Sequence, residues 1–463
     1  MNGKIFNVIE YGGVADGKTL ISEAVQKAID ACHAAGGGTV YFPAGTYVLA
    51  TVFLKSNVHI CIDKDALILG APSFYDYAPQ EKIEYPIYQD ASHTYFDCSM
   101  FVGRNCENIA IYGEGAIDMR SVWDEDNVRD IVHRGPKCIA LKECTNVEIS
   151  GLKIDNVTDL AVYFAGCENV DVHHLTMRVY IDGISPDNSK NVRIHDCDVE
   201  SGDDGIVFKT SYTLNRLDYC KDIRVWNCRV KSRCSAIKFG TETNGGFYDI
   251  DIENIDIRET RITGIAIESV DGAIIDGITI RNVHMKNVGA PLFIHVGKRM
   301  RGPEGREIGE IRNVTLENIV AEGPYEPYEI IAWNYKSFVA GDTLQYPWEM
   351  GSFAFTGSEV FNENCAWQIT SNVCGLAGKP LKNITLKNVS LYLDGGVQEF
   401  DPVVPEEPKP YPEVNTYGRF LPAKGIFFRH IDGLILDNVK ITYNKPDVRE
   451  EFVFDRVKNL KIM

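Results

Sequence analysis

The chain repeats a short segment in which apolar and polar residues alternate, most often after an Asn or Asp. Alternation with a period of two is typical of a strand with one buried face. From Val147 to Ile278 the copies follow one another at steps of 23, 22, 31, 27 and 28 residues. The copies are Asn108–Ile111, Asn146–Ile149, Asn169–Val172, Asn191–Ile194, Asp222–Val225, Asp249–Ile252, Gly277–Ile280, Asn313–Leu316, Asn383–Leu386 and Gly433–Leu436.

Each repeat predicts several short strands, because a second alternating segment such as Leu175–Met177 follows closely. A unit of this size without a helix cannot bury a core of its own, whereas stacked units bury one continuous core. We therefore predict an all-β parallel β-helix over residues 1–463, as a single domain. A β-propeller is the rival, but its hairpins would need Asn-Gly or Asp-Gly turns at each step. Asn before a strand fits a turn with positive φ or a ladder of Asn side chains.

The first part of the chain has a different pattern. Apolar residues between Thr19 and Ala35 have a helical spacing, with Thr19 or Ser22 available as N-cap and Gly36–Gly38 as the end. Such a helix would cover the open end of a solenoid. Residues 1–70 are thus predicted to form this N-terminal cap and the first coils.

The repeat continues through residues 101–320, which we predict to be the central coils that carry the active site. It is interrupted by an aromatic stretch, 71–100, and by two predicted loop insertions, 323–380 and 395–423. The first insertion contains three tryptophans, Trp333, Trp348 and Trp367, and the second is rich in proline, with Pro402, Pro405, Pro408, Pro410 and Pro412. Long irregular loops in a compact fold usually serve function, so we expect walls around a cleft.

Charge and composition limit the partners, the location and the cofactors that we expect for this protein. The 463 residues include 65 acidic and 47 basic ones, for a net charge of −18, which disfavours nucleic acid or a membrane surface as partner. No apolar segment reaches the roughly 20 residues that span a bilayer, and the N-terminus has no signal-peptide pattern, so a cytoplasmic location is expected. The thirteen cysteines lack metal-type spacing and predict buried, reduced thiols within the repeat. No metal or other cofactor is predicted, and oligomeric state is left open.

Three aspartates stand out among the predicted strands: Asp182, Asp203 and Asp204. Aspartate is a poor strand former, and carboxylates one coil apart suit glycosidic bond cleavage, which needs an acid and a base. Asp182 and Asp203 are expected side by side, and mutual repulsion should raise at least one pKa. Asp203 and Asp204 are consecutive, so both can face one cleft only if one of them lies in a turn. The flanking Gly202 and Gly205 would permit such a turn. Calcium binding or simple turn aspartates are the alternatives.

These motifs resemble those of the polygalacturonase-type glycoside hydrolases, family 28. The second family signature stands as Gly202-Asp203-Asp204, and the first as Tyr180–Gly183, in which Asp182 is kept and the family's Asn is lost. The resemblance extends from about Phe6 to Thr442. It implies a single-stranded, right-handed parallel β-helix of the pectate-lyase-like kind that hydrolyses pectic chains with inversion.

By the same resemblance, Asp203 is the general acid, while Asp182 and Asp204 hold and deprotonate the attacking water. An inverting pair needs about 6.5–9.5 Å between its carboxyl groups to leave room for that water. The expected substrate is a pectin-derived oligosaccharide, of galacturonate or rhamnogalacturonan type, cleaved from one end.

Two family signatures are missing. Cys234 or Ser235 occupies the position of the histidine in Gly-His-Gly, and Gly264–Glu268 stands where Arg-Ile-Lys binds the substrate carboxylate. Because Glu268 would repel a uronate, the sugar beside the scissile bond is expected to be neutral, with Glu268 accepting its hydroxyl hydrogen bonds. Rhamnogalacturonan-type members also depart at these signatures.

Further substrate contacts are predicted near these positions, at Arg233, Cys234, Lys209, His295, Lys298 and Arg299. Lys298 and Arg299 begin a cationic loop that could recognise a carboxylate or be a solvated surface, and His295 fits either a packed strand or a ligand contact. A polysaccharide lyase with a Lys or Arg base, and an inactive sugar-binding β-helix, remain as alternative functions.

Overall fold

The chain forms a right-handed parallel β-helix, as predicted. The computed structural model describes residues 4–123, 135–323, 369–400, 402–406, 411–418 and 420–463. In these ranges 29 strands form one continuous sheet, and all pairings between them are parallel. Because each coil lies on the preceding one, residues one repeat apart become neighbours.

The strands of the first coils are β1 (Ile5–Asn7), β2 (Asp16–Leu20), β3 (Gly38–Phe42), β4 (Gly45–Leu49), β5 (Val52–Phe53), β6 (Val58–Ile62), β7 (Ala66–Gly70), β8 (Ser99–Arg104), β9 (Glu107–Gly113) and β10 (Ala116–Asp118). The central coils contain β11 (Lys137–Lys142), β12 (Thr145–Ser150), β13 (Lys153–Asp155), β14 (Val162–Ala165), β15 (Glu168–His173), β16 (Thr176–Val179), β17 (Ile184–Asp187), β18 (Lys190–His195), β19 (Asp198–Ser201), β20 (Ile206–Thr210), β21 (Tyr219–Ser232), β22 (Ser235–Thr243), β23 (Gly246–Ser269), β24 (Ile274–Val296) and β25 (Glu310–Glu322). The last coils contain β26 (Ser371–Cys374), β27 (Leu381–Gly395), β28 (Ala423–Lys445) and β29 (Glu450–Ile462). The described helices are α1 (Ser22–Ala34) and three 3₁₀ turns, Val8–Tyr11, Phe74–Asp76 and Ala91–His93.

The repeated apolar positions stack in register along the core. One such column runs through Val147, Val170, Val192, Ile223, Ile250, Ile278, Val314, Ile384 and Leu434. Each of these side chains is buried. Burial of one such side chain stabilises a fold by about 1.5–3 kcal/mol, so the summed column can hold coils that would not fold alone.

Asparagines form ladders at two of the turns. Asn57, Asn108, Asn146, Asn169 and Asn191 all have positive φ, and each side-chain amide donates to the carbonyl oxygen of the preceding one. Both interpretations of the Asn positions are therefore correct. A second ladder follows the same rule through Asn227, Asn254, Asn282, Asn318, Asn388 and Asn438.

Helix α1 packs its buried face, including Val25 and Ile29, into the hydrophobic core at the first coils, as predicted for the cap. It ends at Gly36–Gly38, where φ is positive. The predicted N-cap was wrong, because Ile21 holds that position without a side-chain hydrogen bond. The hydroxyl of Thr19 instead donates to Asp16, and that of Ser22 accepts from the backbone N–H of Ala50.

The predicted insertions are only partly described. Residues 324–368, with Trp333, Trp348 and Trp367, lie outside the described residues, as do Pro408 and Pro410. The described part of 323–380 is not all loop, because Ser371–Cys374 form β26, which pairs with β24 and β28. This strand is short and has no Asn before it, so the repeat pattern did not reveal it.

The thiols behave as the repeat predicted. Twelve cysteines lie in the described ranges, all of them free thiols, and each except the half-buried Cys61 is buried. Several stack between coils, as where the backbone N–H of Cys144 donates to Sγ of Cys167. Among the described helices, none is long and apolar enough to cross a membrane.

Candidate active site

The three aspartates meet at two successive turns of the coil. Asp182 lies between β16 and β17, and Asp203 and Asp204 lie between β19 and β20. The backbone N–H of Asp204 donates to Oδ1 of Asp182 at 3.1 Å, so Asp204 is the backbone neighbour of Asp182 on the next coil. One carboxylate oxygen from each of the three lies within 4.8 Å of the others. The structure therefore brings the predicted acids into one cluster.

The glycines around this cluster serve close packing. Gly202 and Gly205 do not have positive φ, contrary to the expectation that they supply an unusual backbone conformation. A Cβ at Gly202 would lie 2.1 Å from the carbonyl oxygen of Tyr180, and one at Gly205 would lie 2.3 Å from Val230. A larger residue at Gly202 would thus push its turn away from that of Tyr180, and one at Gly205 would collide with β21.

Two buried lysines stand against the aspartates. Nζ of Lys209, on β20, lies 3.7 Å from Oδ2 of Asp182 and 3.2 Å from Glu242. Nζ of Lys238, on β22, lies 3.3 Å from Oδ2 of Asp204. Lys209 therefore lies beside the aspartates, while its predicted contact with a substrate stays a prediction. Lys238 was missed, although a lysine within the apolar run Ala236–Phe239 was a visible signal.

The pKa of the Asp182 carboxyl group is strongly shifted by its surroundings. Burial raises its pKa to about 7; Lys209 opposes the rise, while Asp203 and Asp204 add to it. The sequence predicted that crowding of the carboxylates would raise the pKa of one of them, and this group is Asp182. At neutral pH this group exchanges its proton readily, which suits a residue that must accept a proton from water.

We expect this pKa to appear in the pH dependence of catalysis. If Asp182 acts as the base, kcat/KM should fall as pH drops below about 7, because the protonated carboxyl cannot take up a proton. Lys209→Gln removes the cation that lowers this pKa, so the acidic limb should move to higher pH by about one unit. A pH profile of both proteins tests this. A limb that stays in place, or moves to lower pH, would contradict the assignment.

Glu268 is part of the same buried network. It has no exposed surface, and neither carboxylate oxygen has a hydrogen-bond partner among the described residues. Burial raises its pKa well above the usual range despite the opposing effect of Lys238, 4.0 Å away. Glu268 is therefore favoured as a neutral acid, which can donate as well as accept, and which repels a uronate less than the sequence suggested.

Two segments cover this face of the helix. In the segment 71–100, Nδ1 of the buried His93 lies 2.6 Å from Oδ1 of Asp90. Burial lowers the pKa of His93, but Asp90 outweighs this, so the net pKa is raised. Asp90, His93 and Glu242 each offer one atom within 4.8 Å of the others. His93 was missed because nothing in the repeat places this segment over the site.

The second covering segment is 411–418. Glu413 contacts Lys238 at 3.2 Å, and the hydroxyl of Tyr417 lies 3.1 Å from Nδ1 of His295. The carbonyl oxygen of Val414 accepts from the side-chain amide of Asn372 on β26. As a result Asp182 and Asp204 are nearly inaccessible, whereas Asp203 stays partly exposed. The two described segments thus lie over the aspartate cluster.

The remaining predicted contacts divide into buried and peripheral ones. His295 is buried in β24, and burial lowers its pKa to about 3, which favours the neutral imidazole. Burial raises the pKa of the Cys234 thiol well above its usual value, which opposes any thiolate role. Arg299 is held by Asp271 and the backbone carbonyl of Thr241, and so is not open to a substrate carboxylate. Lys298 is exposed, and Arg233 is half-buried beside Cys234.

The aspartate cluster has the oxygen donors that a calcium ion uses. Its carboxylates already face the ammonium groups of Lys209 and Lys238, at 3.7 and 3.3 Å. These lysines offset the negative charge that would otherwise favour a cation at the same place. That no metal takes part stays a prediction.

Comparison with known proteins identifies relatives of this chain. The model of the glycosyl hydrolases family 28 matches residues 80–330. A probable polygalacturonase of Vitis vinifera is 26% identical over 301 residues, which cover 61% of each protein. An exo-poly-alpha-D-galacturonosidase of Dickeya chrysanthemi is 25% identical over 338 residues, covering 62% of this chain and 56% of that enzyme. The chain thus spans about three fifths of the length of these two relatives.

The fold is shared with a solved relative. The family 28 exopolygalacturonase of Yersinia enterocolitica superposes with a TM-score of 0.68 at 19% identity, over 99% of this chain and 78% of that one.

Proposed function

The chain belongs to the glycosyl hydrolases family 28, and on this basis we propose that it hydrolyses glycosidic bonds in pectin-derived oligosaccharides. The observation that carries the proposal is the cluster of Asp182, Asp203 and Asp204, whose oxygens lie within 4.8 Å of one another. Hydrolysis needs a proton donor for the leaving oxygen and a base for water, and carboxyl groups can serve as both.

The surroundings of each aspartate support separate roles. Asp203 is partly exposed, and its backbone carbonyl oxygen accepts from the hydroxyls of Ser201 and Ser232, which fix the turn. It is the group best placed to meet the leaving oxygen. Asp182 and Asp204 are buried side by side and can hold a water between them, with Asp182 as the base.

Inversion of the anomeric centre rests on the family resemblance. The nearest oxygens of the aspartates are within 4.8 Å, closer than the roughly 6.5–9.5 Å of inverting pairs and nearer the 5–5.5 Å of retaining ones. We expect proton NMR of the first-formed sugar to show the anomer opposite to that of the substrate. The same anomer would show retention and make one aspartate a nucleophile.

We further propose that cleavage proceeds from one chain end. Residues of the segments 71–100 and 411–418 lie over the aspartate cluster, and two relatives are described as an exo-poly-alpha-D-galacturonosidase and an exopolygalacturonase. With an oligosaccharide labelled at its reducing end, the labelled chain should shorten by one unit at a time. Labelled fragments of intermediate length at the earliest times would indicate internal cleavage.

The charge of the site favours a neutral sugar beside the scissile bond. The acids of the site outnumber its two lysines, and Arg299 is engaged by Asp271. These acids are Asp182, Asp203, Asp204, Glu242 and Glu413, without the neutral Glu268. The ammonium groups of both lysines already face carboxylates, which leaves them less free to pair with a uronate. Rhamnogalacturonan fragments should therefore be cleaved faster than homogalacturonan fragments of equal length.

A lyase would need a neutral lysine or arginine as base, and the buried lysines offer a candidate. However, Glu242 and Asp182 raise the pKa of Lys209 despite its burial, and the neighbouring acids Asp204, Glu413 and Glu268 do the same for Lys238. Both side chains are thus held as cations. The geometry favours hydrolysis over elimination.

A further inference from the structure

A second cluster of metal-ligating side chains lies on the same two coils as the catalytic aspartates, but at a different turn. It consists of His173, the last residue of β15, and His174 after it, with His195, the last residue of β18, and Asp196 after it. We refer to these four residues as the histidine cluster. The proposed hydrolysis does not use them.

The cluster stands where the second asparagine ladder would continue. Because His173 pairs with His195 and His195 with Trp226, the next residues, His174, Asp196 and Asn227, occupy equivalent positions. His174 and Asp196 have positive φ like the ladder asparagines, and the amide of Asn227 donates to Oδ1 of Asp196. Asn suits this backbone conformation well, so the turn itself does not require another residue. His174 and Asp196, which are stronger metal ligands than Asn, nevertheless occupy these positions.

The distances within the cluster suit a small cation. Nδ1 of His195 lies 2.7 Å from Oδ2 of Asp196, and one nitrogen of His174 lies within 4.8 Å of ligand atoms on both. Nδ1 of His173 lies 2.8 Å from Nδ1 of His174, so a proton or a cation must separate these two lone pairs. Two imidazoles and a carboxylate form a donor set typical of zinc and its neighbours.

The groups around His195 also resemble the support of a metal ligand. Its second nitrogen, Nε2, lies 3.3 Å from Oδ1 of Asp171, the carboxylate partner that ligating histidines commonly have. Its ring stacks between His173, at 4.9 Å, and Trp226, at 4.2 Å, both nearly parallel. The plane of the imidazole is therefore fixed, while the side chains of His195 and Asp196 stay 17% and 35% exposed.

We propose that His174, His195 and Asp196 bind one divalent transition-metal ion, of the Zn²⁺ class, with solvent completing the coordination. The ion replaces the proton shared by His195 and Asp196, and that proton passes to solvent. Such an ion would join two neighbouring coils at the turns that precede β16 and β19, and would stabilise these coils against separation.

Calorimetric titration of the full chain with ZnCl₂ tests the proposal. His174→Asn and Asp196→Asn continue the ladder residue type, so both variants should fold, as circular dichroism can verify. Each should bind Zn²⁺ at this site at least about tenfold more weakly than the unmodified protein. His33→Asn, at the exposed end of α1, should bind as the unmodified protein does. Zinc affinity within twofold of the unmodified protein in both ladder variants would overturn the proposal.

Two further readouts separate this site from metal bound elsewhere. Binding should weaken from pH 7.5 to pH 5.5, because protons compete for the imidazoles. Cu²⁺ should quench a saturable part of the tryptophan fluorescence, and this part should vanish in Trp226→Phe and in Asp196→Asn. Quenching that is unchanged in both variants would also refute the site.

Discussion

Asp203→Asn is expected to lower kcat by about 10²–10⁴-fold, with a small effect on KM. Asn keeps the shape of the side chain but cannot protonate the leaving oxygen, and general acid catalysis contributes about that factor. A second substrate makes the test specific. An aryl glycoside with a good leaving group needs little protonation, so Asp203→Asn should impair its cleavage much less, whereas Asp182→Asn should impair both substrates strongly.

Asp198→Asn is the matched control for this prediction. Asp198 lies on β19 a few residues before the catalytic turn, but its carboxylate is half-exposed and pairs with Arg229. Its replacement should leave kcat nearly unchanged. If Asp203→Asn lost equal activity on both substrates, or if Asp182→Asn spared the aryl glycoside instead, the assignments of acid and base would have to be exchanged.

The second large effect is expected from Lys238→Met, which should destabilise the fold by about 3–5 kcal/mol. The ammonium group lies 3.3 Å from Asp204, 3.2 Å from Glu413 and 4.0 Å from Glu268, all of them buried. Met fills the volume but leaves these carboxylates without their countercharge. Adding Glu413→Gln to the variant should recover part of the loss, since one buried charge is then removed.

Urea unfolding at two pH values tests in which direction this loss of stability depends on pH. Burial raises the folded-state pKa of Glu268 above its ordinary value of 4.5, so folding is favoured when the group is protonated and disfavoured as pH rises through the folded-state pKa. The loss in Lys238→Met should therefore be larger at pH 8 than at pH 5. Lys387→Met removes an exposed pair with Glu317 and should cost at most about 1 kcal/mol. Equal losses in the two lysine variants, or a larger loss at pH 5, would contradict the network.

The fold was predictable because its information is local and repeated. Alternation places Val147, Val170 and Val192 on one buried column, and the Asn before each of them supplies the left-handed turn. Every coil repeats the pattern, so a single ambiguous segment does not change the predicted fold. The short β26 was missed because it carries too few residues to show the pattern.

The site was predictable only where it follows the repeat. Asp182 and the Asp203–Asp204 pair are one coil apart, which was enough to predict that their carboxylates lie together. The alternation does not show turn lengths, so the backbone contact between Asp182 and Asp204 could not be predicted. Lys238 and Glu413 are 175 residues apart, and their contact depends on how a nonrepeating segment crosses the helix. The same holds for His93 and Glu242. Contacts of this kind arise from tertiary structure alone.

The most direct test of the central claim is hydrolysis in H₂¹⁸O. The protein and Asp203→Asn would be incubated with homogalacturonan and rhamnogalacturonan oligosaccharides, and the products weighed by mass spectrometry. We predict products that have gained one ¹⁸O-labelled water, formed by the unmodified protein and nearly absent with the variant. Unsaturated products without added water, or bound oligosaccharide that is never cleaved, would contradict an aspartate-based hydrolase.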